Sequence, residues 1–585
     1  MTDMVTYIRA RISAGALDNA TRFFNAGPED IFNELLQNAR RAGATRVEVI
    51  EEPGHILVRD DGAGIRDPET LLSFGESGWD GETARLEDPA GMGFWSLSRR
   101  GCEIWSMPEG ALSGWYAKIT PRAFQGRESI AVETLDGETP GTGISYPKND
   151  RGEMSVRYLL DRVAGFYPIP VLYRTDPDDP IEIVRSDFLE KAVRIETFDG
   201  GRIGVIPHGR HRDHVTANFF GLTLSPSTPD VHETFSAGSY HAAFDFTGGA
   251  GLELVLPARK EMVLNDAWRD LLDVGERAIY RHIVSCKDHS LAYKDYLRAH
   301  ALGVDMPVAQ DWLRPFAPPT AEDNWAGFDK LEPVQGDAIV MALNDSPVIM
   351  QCLSQVLDGD PFRHVYQEHT AYEGYRWYDA LPKIVEVRWT LIDGDSELVL
   401  LDPEGAHASV DGVLFDGLTD KDWAEWARPD RIVANVVIEQ DGARRSIDLD
   451  TDVVLIGEGY DVEEVLPIIT KTAIENRGLD PDALSTLIVD SYFSPSDDTD
   501  ANSHQTQRRD YEIAAYARAC EVLIDKEAGL IAFIRDHAAE HVRWTCPSDK
   551  RVLIVIDDYK VDVSLVERPD GDAAIEKIPD APPGA

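Results

Sequence analysis

The chain of 585 residues is short of cysteine, of basic side chains and of long apolar runs. Its five cysteines lie far apart without a CxxC pair, so the sequence supports neither a disulfide framework nor a zinc ribbon. No stretch approaches the ~18 apolar residues of a membrane-spanning helix, and residues 1–15 lack the apolar core of a signal peptide. We therefore expect a cytoplasmic protein without a membrane partner.

The shortage of basic residues sets the charge of the whole chain. Lysine and arginine together number 57 against 103 aspartates and glutamates, which gives a formal net charge of −46. A polyanion such as DNA would have to find a local basic patch within a repulsive global field. We favour solubility, or adaptation to a salty or high-GC host, as the reason for this charge.

The sequence does contain enough apolar material for several folded domains. Apolar residues make up 43% and aromatic residues 9% of the chain, which excludes global disorder, and the length suits about three or four domains. Alternating helix and strand patterns predict an α+β multidomain protein. The predicted segments are an α/β domain at 1–150, a second α/β domain at 151–305, a Pro-rich linker at 306–323, a C-terminal α/β region of unknown role at 324–567 and a disordered tail at 568–585.

The stretch "FNELLQNARRAGATRVEV" carries a polar pair on an apolar helix. Pro28 suits the first turn and Gly43 a left-handed stop, so we predict a helix at about 28–42. Glu34 and Asn38 are i and i+4, and therefore lie on one face of that helix. A solvated helix face is the usual explanation of such a pair.

Glycine-rich segments follow this helix in a fixed order. "VRDDGAGI" brings Asp60 from a strand into a loop whose glycines let the backbone approach a flat ligand closely. "DPAGMGFWSLS" is a second glycine loop that runs into a predicted helix, whose free amides could hold phosphate oxygens. "GTG" at 141–143 completes the series. Each segment is weak evidence alone, and the ordered set is strong.

In this order the segments resemble the nucleotide-binding motifs of the GHKL ATPases, which include DNA gyrase, the large heat-shock chaperones, histidine kinases, MutL and the MORC proteins. "ELLQNARRAGATRVEV" is similar to their first motif in its MutL or MORC form. The resemblance covers about the first 150 residues. It implies the Bergerat α/β sandwich, the histidine kinase-like ATPase fold, with ATP and Mg²⁺ as ligands.

The same resemblance implies a role for each matching residue. Glu34 would be the general base that activates water, Asn38 the Mg²⁺ ligand, and Asp60 the acceptor for the adenine amino group. The other nucleotide-contacting positions that it implies are Arg41, Gly62, Gly64, Gly91, Met92, Gly93 and Thr142.

Two positions depart from the family pattern. The family usually has an aspartate three residues after the metal-binding asparagine, and this chain has Arg41. A cation there could contact phosphate directly or disturb the surroundings of the metal. The first glycine expected in the second loop is Asp88. We therefore expect nucleotide binding more firmly than turnover.

A stretch of the second domain points to the same family. "LVLPARKEMV" is similar to a MutL-type segment in which a following transducer domain reaches back to the γ-phosphate. The resemblance makes Lys260 or Arg259 the candidate cation, whereas a strand-end lysine is more often a solvated surface residue. The order of the domains argues against a histidine kinase, in which the ATPase domain comes last.

Two further patterns have more than one explanation. His208, His211 and His214 in "HGRHRDH" have a spacing that could bind a metal, although a polar basic loop is the favoured explanation. An amphipathic helix at about 508–541 could pair with its mate in a dimer or pack within its own domain.

Two hypotheses of function follow. In the first, ATP gates a conformational switch or clamp in a homodimer, and Glu34 hydrolyses it. In the second, the chain is a nucleotide-binding scaffold with little turnover, whose C-terminal half is a protein-interaction module. The client, protein or nucleic acid, is not indicated by the sequence.

Overall fold

The computed structural model describes most of the chain. The described residues are 27–73, 93–137, 139–148, 154–175, 179–208, 215–234, 238–248, 252, 262–263, 265–317, 331–341, 347–357, 362–402, 407–410, 413–415, 426–456, 462–476, 478–495, 501–557 and 560–567. They form an α+β protein with several sheets, as the sequence predicts. The chain divides into two compact units, Met1–Gln310 and Asp311–Ala585.

The first unit opens with a helix and an eight-stranded sheet. Its helices are α1 (Pro28–Arg41), α2 (Pro121–Phe124) and α3 (Val156–Val163). Its strands are β1 (Val47–Glu52), β2 (His55–Asp60), β3 (Cys102–Met107), β4 (Gly114–Ile119), β5 (Val132–Leu135), β6 (Gly141–Pro147), β7 (Val171–Thr175) and β8 (Ile181–Glu182). The strand order is β5-β4-β3-β6-β2-β1-β7-β8. β7 pairs with β1 in parallel, so this sheet continues beyond residue 150.

Helix α1 confirms the predicted helix at 28–42. Pro28 occupies its first turn, and Asp30 accepts a hydrogen bond from the Gly27 amide at 2.9 Å. Gly43 follows the helix at φ +72°, a left-handed conformation that glycine adopts without a steric penalty. The apolar face of α1 is buried in the core of the first sheet, which leaves the Glu34–Asn38 row as its less buried side.

A second sheet lies in the same unit. Its six strands are β9 (Arg194–Phe198), β10 (Gly201–Pro207), β11 (Ala217–Phe219), β12 (Leu222–Leu224), β13 (Asp230–His232) and β14 (Ser239–Phe246). β14 is central: β10 pairs with one edge of it, while β11 and β13 share the other edge. Helices α4 (Asp266–Ser285) and α5 (Tyr293–Ala301) follow, and α4 packs on the sheet through Trp268 and Ala278.

The unit Asp311–Ala585 is built on a third large sheet. Its strands and those of its small sheets are β15 (Trp312–Leu313), β16 (Glu332–Pro333), β17 (Ile339–Met341), β18 (Val365–Gln367), β19 (Lys383–Asp393), β20 (Ser396–Asp402), β21 (His407–Val410), β22 (Val413–Phe415), β23 (Arg431–Gln440), β24 (Ala443–Thr451), β25 (Val453–Ile456), β26 (Leu466–Ile469), β27 (Lys550–Asp557) and β28 (Lys560–Glu567). Its helices are α6 (Pro347–Val356), α7 (Arg376–Asp379), α8 (Lys471–Glu475), α9 (Pro481–Tyr492), α10 (Ala501–Leu523) and α11 (Lys526–His537).

The prediction of one long helix at 508–541 was wrong. Helix α10 ends at Leu523, and Asp525 caps α11 by accepting a hydrogen bond from the Ala528 amide at 2.8 Å. A Cβ at Gly529 would lie 2.9 Å from the carbonyl oxygen of Ala517, so the glycine lets the two helices approach closely. Ala515 and Ala519 of α10 belong to the core of this unit.

The sequence also raised the questions of a membrane-spanning helix and of the state of the cysteines. Within the described residues, no helix combines the length and the apolar character needed to cross a bilayer. All five cysteines are free thiols in the structure, and Cys102, Cys352 and Cys520 are buried.

Candidate functional site

Asp60 ends strand β2 and points its carboxylate into the glycine-rich loop that follows. The carboxylate accepts a hydrogen bond from the Gly62 amide at 2.9 Å and another from the backbone of Thr142. Burial raises the pKa of Asp60 to about 6, against the lowering effect of these backbone hydrogen bonds. Asp60 is thus a largely buried acceptor on a rigid strand end.

Thr142 and Ser106 hold the loop beside Asp60. Thr142 lies opposite Asp60 in the register of β6 and β2, and its hydroxyl is 3.1 Å from that of the fully buried Ser106. The Ser106 hydroxyl also accepts a hydrogen bond from the Ile65 amide at 2.7 Å. The sequence analysis missed Ser106, whose signal was a serine at an inward-facing position of the alternating strand β3.

The glycines of this loop are required by close packing. Gly64 has φ +69°, and a Cβ there would lie 2.3 Å from the carbonyl oxygen of Met107. A Cβ at Gly62 would lie 2.8 Å from the carbonyl oxygen of Ala42, the residue that ends α1. The Ala63 amide donates a hydrogen bond to this same carbonyl at 2.8 Å. The loop is therefore fastened to the C-terminus of the helix that carries Glu34 and Asn38.

Asp61, the second acid of the pair, has a structural role instead. One of its carboxylate oxygens accepts hydrogen bonds from the amides of Thr45 at 2.7 Å and Arg46 at 3.1 Å, and the other accepts from the Thr45 hydroxyl at 2.6 Å. These hydrogen bonds outweigh partial burial and lower the pKa of Asp61. The two adjacent acids therefore have opposite pKa shifts, and only Asp60 faces the glycine loop.

Glu34 lies against Gly93 on the other side of the site. A Cβ at Gly93 would be 2.0 Å from the Glu34 Oε2 atom, so any larger residue would displace the carboxylate. Oε2 is buried and has no hydrogen-bond partner among the described residues. A buried carboxylate oxygen without a donor is costly, and such oxygens are frequent where a ligand or water completes the site. The structure thus brings Glu34 to the end of the second glycine loop.

Asn38 and Arg41 contact each other one turn further along α1. The Arg41 guanidinium donates a hydrogen bond to Asn38 Oδ1 at 3.4 Å. An amide oxygen is the kind of hard ligand that Mg²⁺ prefers, and Oδ1 keeps a second lone pair for it. Asn38 therefore fits a Mg²⁺ ligand, and Arg41 places a positive charge beside that oxygen.

The helix α1 is also attached to the second sheet, a connection that the sequence analysis missed. The buried side chain of Gln37 donates a hydrogen bond to the carbonyl of Phe220 at 2.9 Å. The Arg40 guanidinium lies over the Phe220 ring at 4.3 Å from its centroid. Phe220 has φ +52°, in the tight turn between β11 and β12. A contact across 183 sequence positions leaves no local signal in the sequence.

The remaining predicted site residues lie outside the described residues. Gly91, Met92 and Asp88 belong to the second glycine loop, and Arg259 and Lys260 to the proposed transducer segment. Their assignments stay predictions.

Comparison with known proteins gives one partial likeness. A segment of 183 residues, 31% of this chain, is 26% identical to the DNA mismatch repair protein MutL of Thermosipho melanesiensis. The chain covers 29% of the length of that relative. No family model matches the chain. The likeness is therefore to part of a protein from one of the groups that the sequence motifs resemble.

Proposed function

We propose that the chain binds ATP with Mg²⁺ and hydrolyses it in the manner of the GHKL ATPases. The observation that carries this proposal is the environment of Asp60. Its largely buried carboxylate accepts hydrogen bonds from backbone amides, at the edge of a loop in which Gly62 and Gly64 leave no room for a Cβ atom. A carboxylate accepts a hydrogen bond from the amino group of adenine and repels the carbonyl oxygen of guanine. This position therefore suits selection of an adenine nucleotide.

Glu34 supplies the base for hydrolysis. Its Oε2 takes a proton from a water molecule while the water oxygen bonds to the γ-phosphorus. The bond from that phosphorus to the bridging oxygen breaks, ADP leaves with the electron pair, and the proton passes to phosphate or solvent. Oε2, which lies beside Gly93, accepts no hydrogen bond from the described protein groups, so its lone pairs remain for a water molecule.

Asn38 is the residue that would hold the metal ion. Mg²⁺, when bound, neutralises the charge that develops on the triphosphate. Arg41 donates a hydrogen bond to the same amide oxygen, and in our proposal its guanidinium shares the neutralisation of phosphate charge. In our proposal this compensates for the aspartate that the family usually has at this position.

We further propose that nucleotide binding switches the conformation of a homodimer in the cytoplasm. The contacts of Gln37 and Arg40 with Phe220 support a mechanical link, because they tie the helix of Glu34 to the second sheet. In this proposal Lys260 or Arg259 binds the γ-phosphate when the second domain moves in. The client, a protein or a nucleic acid, is left open.

The experiment is calorimetric titration of the full-length protein with ATP, comparing the adjacent substitutions Asp60→Asn and Asp61→Asn. An asparagine at position 60 must share one carbonyl between the loop amides and adenine, which we expect to cost on the order of 1–3 kcal/mol, or roughly 5- to 150-fold in affinity. Asp61→Asn removes the same charge next to it and should leave the affinity within about threefold.

Equal binding by the wild-type protein and Asp60→Asn would refute the adenine assignment. Equal weakening by both substitutions would show only a nonspecific effect of charge, and would also count against it.

A further inference from the structure

A second cluster of functional side chains lies on the sheet β9–β14, away from Glu34 and Asp60 in the sequence. His208 Nε2 is 2.7 Å from one carboxylate oxygen of Asp230, and His232 Nε2 is 3.1 Å from the other. The ligand-type atoms of these three residues all lie within 4.8 Å of one another. Two imidazole nitrogens and a carboxylate oxygen thus converge on one point.

The strand register explains why these side chains meet. His232 of β13 lies opposite Ser239 of β14, and the His208 amide donates to the Ser239 carbonyl at 2.8 Å from the other side. Asp230 lies opposite His241, two residues along each strand. Residues directly opposite, or two apart on one strand, share a face of the sheet. The cluster therefore occupies one face, held by three hydrogen-bonded strands.

This face is the one turned away from helix α4. Tyr240 and Ala242 alternate with the cluster residues along β14; Tyr240 contacts His282 of α4, and Ala242 lies in the core that α4 covers. Asp230 and His232 are exposed, whereas the side chain of His208 is 16% exposed. His241 is buried, with its ring centroid 4.9 Å from that of His208. The cluster is thus closed on its inner side and open to solvent on its outer side.

A hydrogen bond prepares His232 for ligation. Its Nδ1 atom is hydrogen-bonded to the Ser239 hydroxyl, which leaves Nε2 to face Asp230 and His208. In metal centres the second nitrogen of a ligating histidine is commonly held in this way, since the bond orients the ring and selects its tautomer. The His208 and His232 rings are stacked, with centroids 5.4 Å apart.

We propose that His208, Asp230 and His232 bind a transition-metal dication of the Zn²⁺ class. Imidazole and carboxylate are ligands that suit zinc, with bonds of about 2.0–2.2 Å, so the ligand atoms of one tetrahedral ion lie roughly 3.4 Å apart. The 2.7 and 3.1 Å separations involve different oxygens of Asp230, and one ligand atom from each residue lies within 4.8 Å of the other two, so side-chain rotations would bring one oxygen and both nitrogens to this spacing. Solvent occupies the fourth position on the open side.

This assignment changes the interpretation of "HGRHRDH". His208 alone of its three histidines is described, and its partners come from β13 rather than from the same loop. His211 and His214 lie outside the described residues. The metal site is independent of the proposed nucleotide site, because no residue is shared between them.

The test uses tag-free full-length protein, stripped with a chelator and titrated with Zn²⁺ alone in a calorimeter. Another group of possible ligands, Asp510 with His537 and His541, lies on the surface, so the titration is done in a His541→Ala background that removes one of its ligands. We expect one site whose affinity falls at least tenfold in His208→Ala and in His232→Ala. Ser239→Ala should weaken binding by about 10- to 100-fold through the lost orientation of His232.

Circular dichroism establishes that each variant is folded, and His232→Gln replaces His232→Ala if the latter is not. Co²⁺ supplies a second readout, because a tetrahedral nitrogen and oxygen site gives it a strong visible absorption that the His232 variants should lack. The proposal is overturned if the parent protein binds no zinc, or if the His208 and His232 variants bind it as tightly as the parent.

Discussion

At the scale of single residues, the pKa of Asp60 gives the nucleotide site a pH dependence. Burial raises that pKa to about 6, so the carboxylate is mostly ionised at pH 7.5 and mostly protonated at pH 5. A protonated carboxyl group is the poorer acceptor for the adenine amino group. We therefore expect ATP affinity to fall by up to about tenfold as the pH decreases from 7.5 to 5.

The measurement is calorimetric titration with ATP across this pH range, on the wild-type protein and on Asp60→Asn. Subtracting the two profiles cancels the titration of ATP itself. A wild-type profile parallel to that of Asp60→Asn would contradict the prediction.

The stability of the free protein should change in the opposite direction. The pKa of Asp60 is higher in the folded than in the unfolded chain, so the folded state binds the proton more tightly. The contribution of Asp60 to stability is thus present below pH ~4 and lost as the pH rises through about 6. ATP binding and fold stability therefore favour different protonation states of one side chain.

At the residue scale, the sequence predicted which side chains lie together where their positions depend on a single short segment. Asp60, Gly62 and Gly64 were assigned to one loop because a strand end and its following glycines are local features, whereas Thr142 was added only through the family resemblance and meets Asp60 through the pairing of β6 with β2. The distinction between Asp60 and Asp61 depended instead on which acid meets the amides of Thr45 and Arg46, and this is decided by the pairing of β1 with β2.

At the scale of elements, helix α1 joins the two sheets of the first unit. One side of it carries Glu34 against Gly93, while Gln37 and Arg40 contact Phe220 in the β11–β12 turn. The buried hydroxyl of Tyr167 also donates a hydrogen bond to the carbonyl of Leu36 on this helix. In the proposed switch, these direct contacts are the path by which a movement of that turn would reach the helix of Glu34.

Gln37→Ala should destabilise both helix α1 and the β11–β12 turn. The substitution leaves the Phe220 carbonyl without its donor, which costs about 1–3 kcal/mol, so amides in 28–41 and 217–224 should exchange roughly 5- to 150-fold faster. Hydrogen–deuterium exchange with mass spectrometry measures both segments. Asn33→Ala removes a less buried amide from the same helix and serves as the control. Faster exchange in 28–41 alone would show that Gln37 stabilises only its own helix.

The elements themselves were predictable to different degrees. Helix α1 was predicted almost to the residue, because Pro28 marks its start. The break between α10 and α11 was missed, because Asp525 and Gly529 act there through a cap and a helix–helix contact rather than through the apolar pattern.

At the scale of the whole molecule, the proposal predicts assembly that depends on ATP. If Lys260 binds the γ-phosphate, its charge-assisted hydrogen bond contributes roughly 1.5–3 kcal/mol in the ATP state and nothing with ADP. Lys260→Ala should then weaken dimerisation with a non-hydrolysable ATP analogue by about one to two powers of ten and leave ADP affinity unchanged. Arg259→Ala is measured in the same way, since either of the two neighbouring cations is a candidate for the contact.

Analytical ultracentrifugation with the analogue, alongside ADP titrations, gives both quantities. Dimerisation of the wild-type protein that does not depend on nucleotide would refute the switch. An unchanged response of dimerisation to the analogue in the double variant Arg259→Ala, Lys260→Ala would refute it as well.

The proposed hydrolysis of ATP depends most directly on Glu34, so the decisive measurement is steady-state ATP hydrolysis by Glu34→Ala beside ATP binding by the same protein. General-base catalysis contributes about 10²–10⁴-fold, so hydrolysis should fall by at least ~100-fold while ATP affinity stays within about threefold. Glu29→Ala, which removes from the same helix a partly exposed acid that pairs with Arg162, should hydrolyse ATP like the wild-type protein. Equal hydrolysis by Glu34→Ala and wild type, or binding without measurable hydrolysis in the wild type, would contradict the account and favour a nucleotide-binding scaffold.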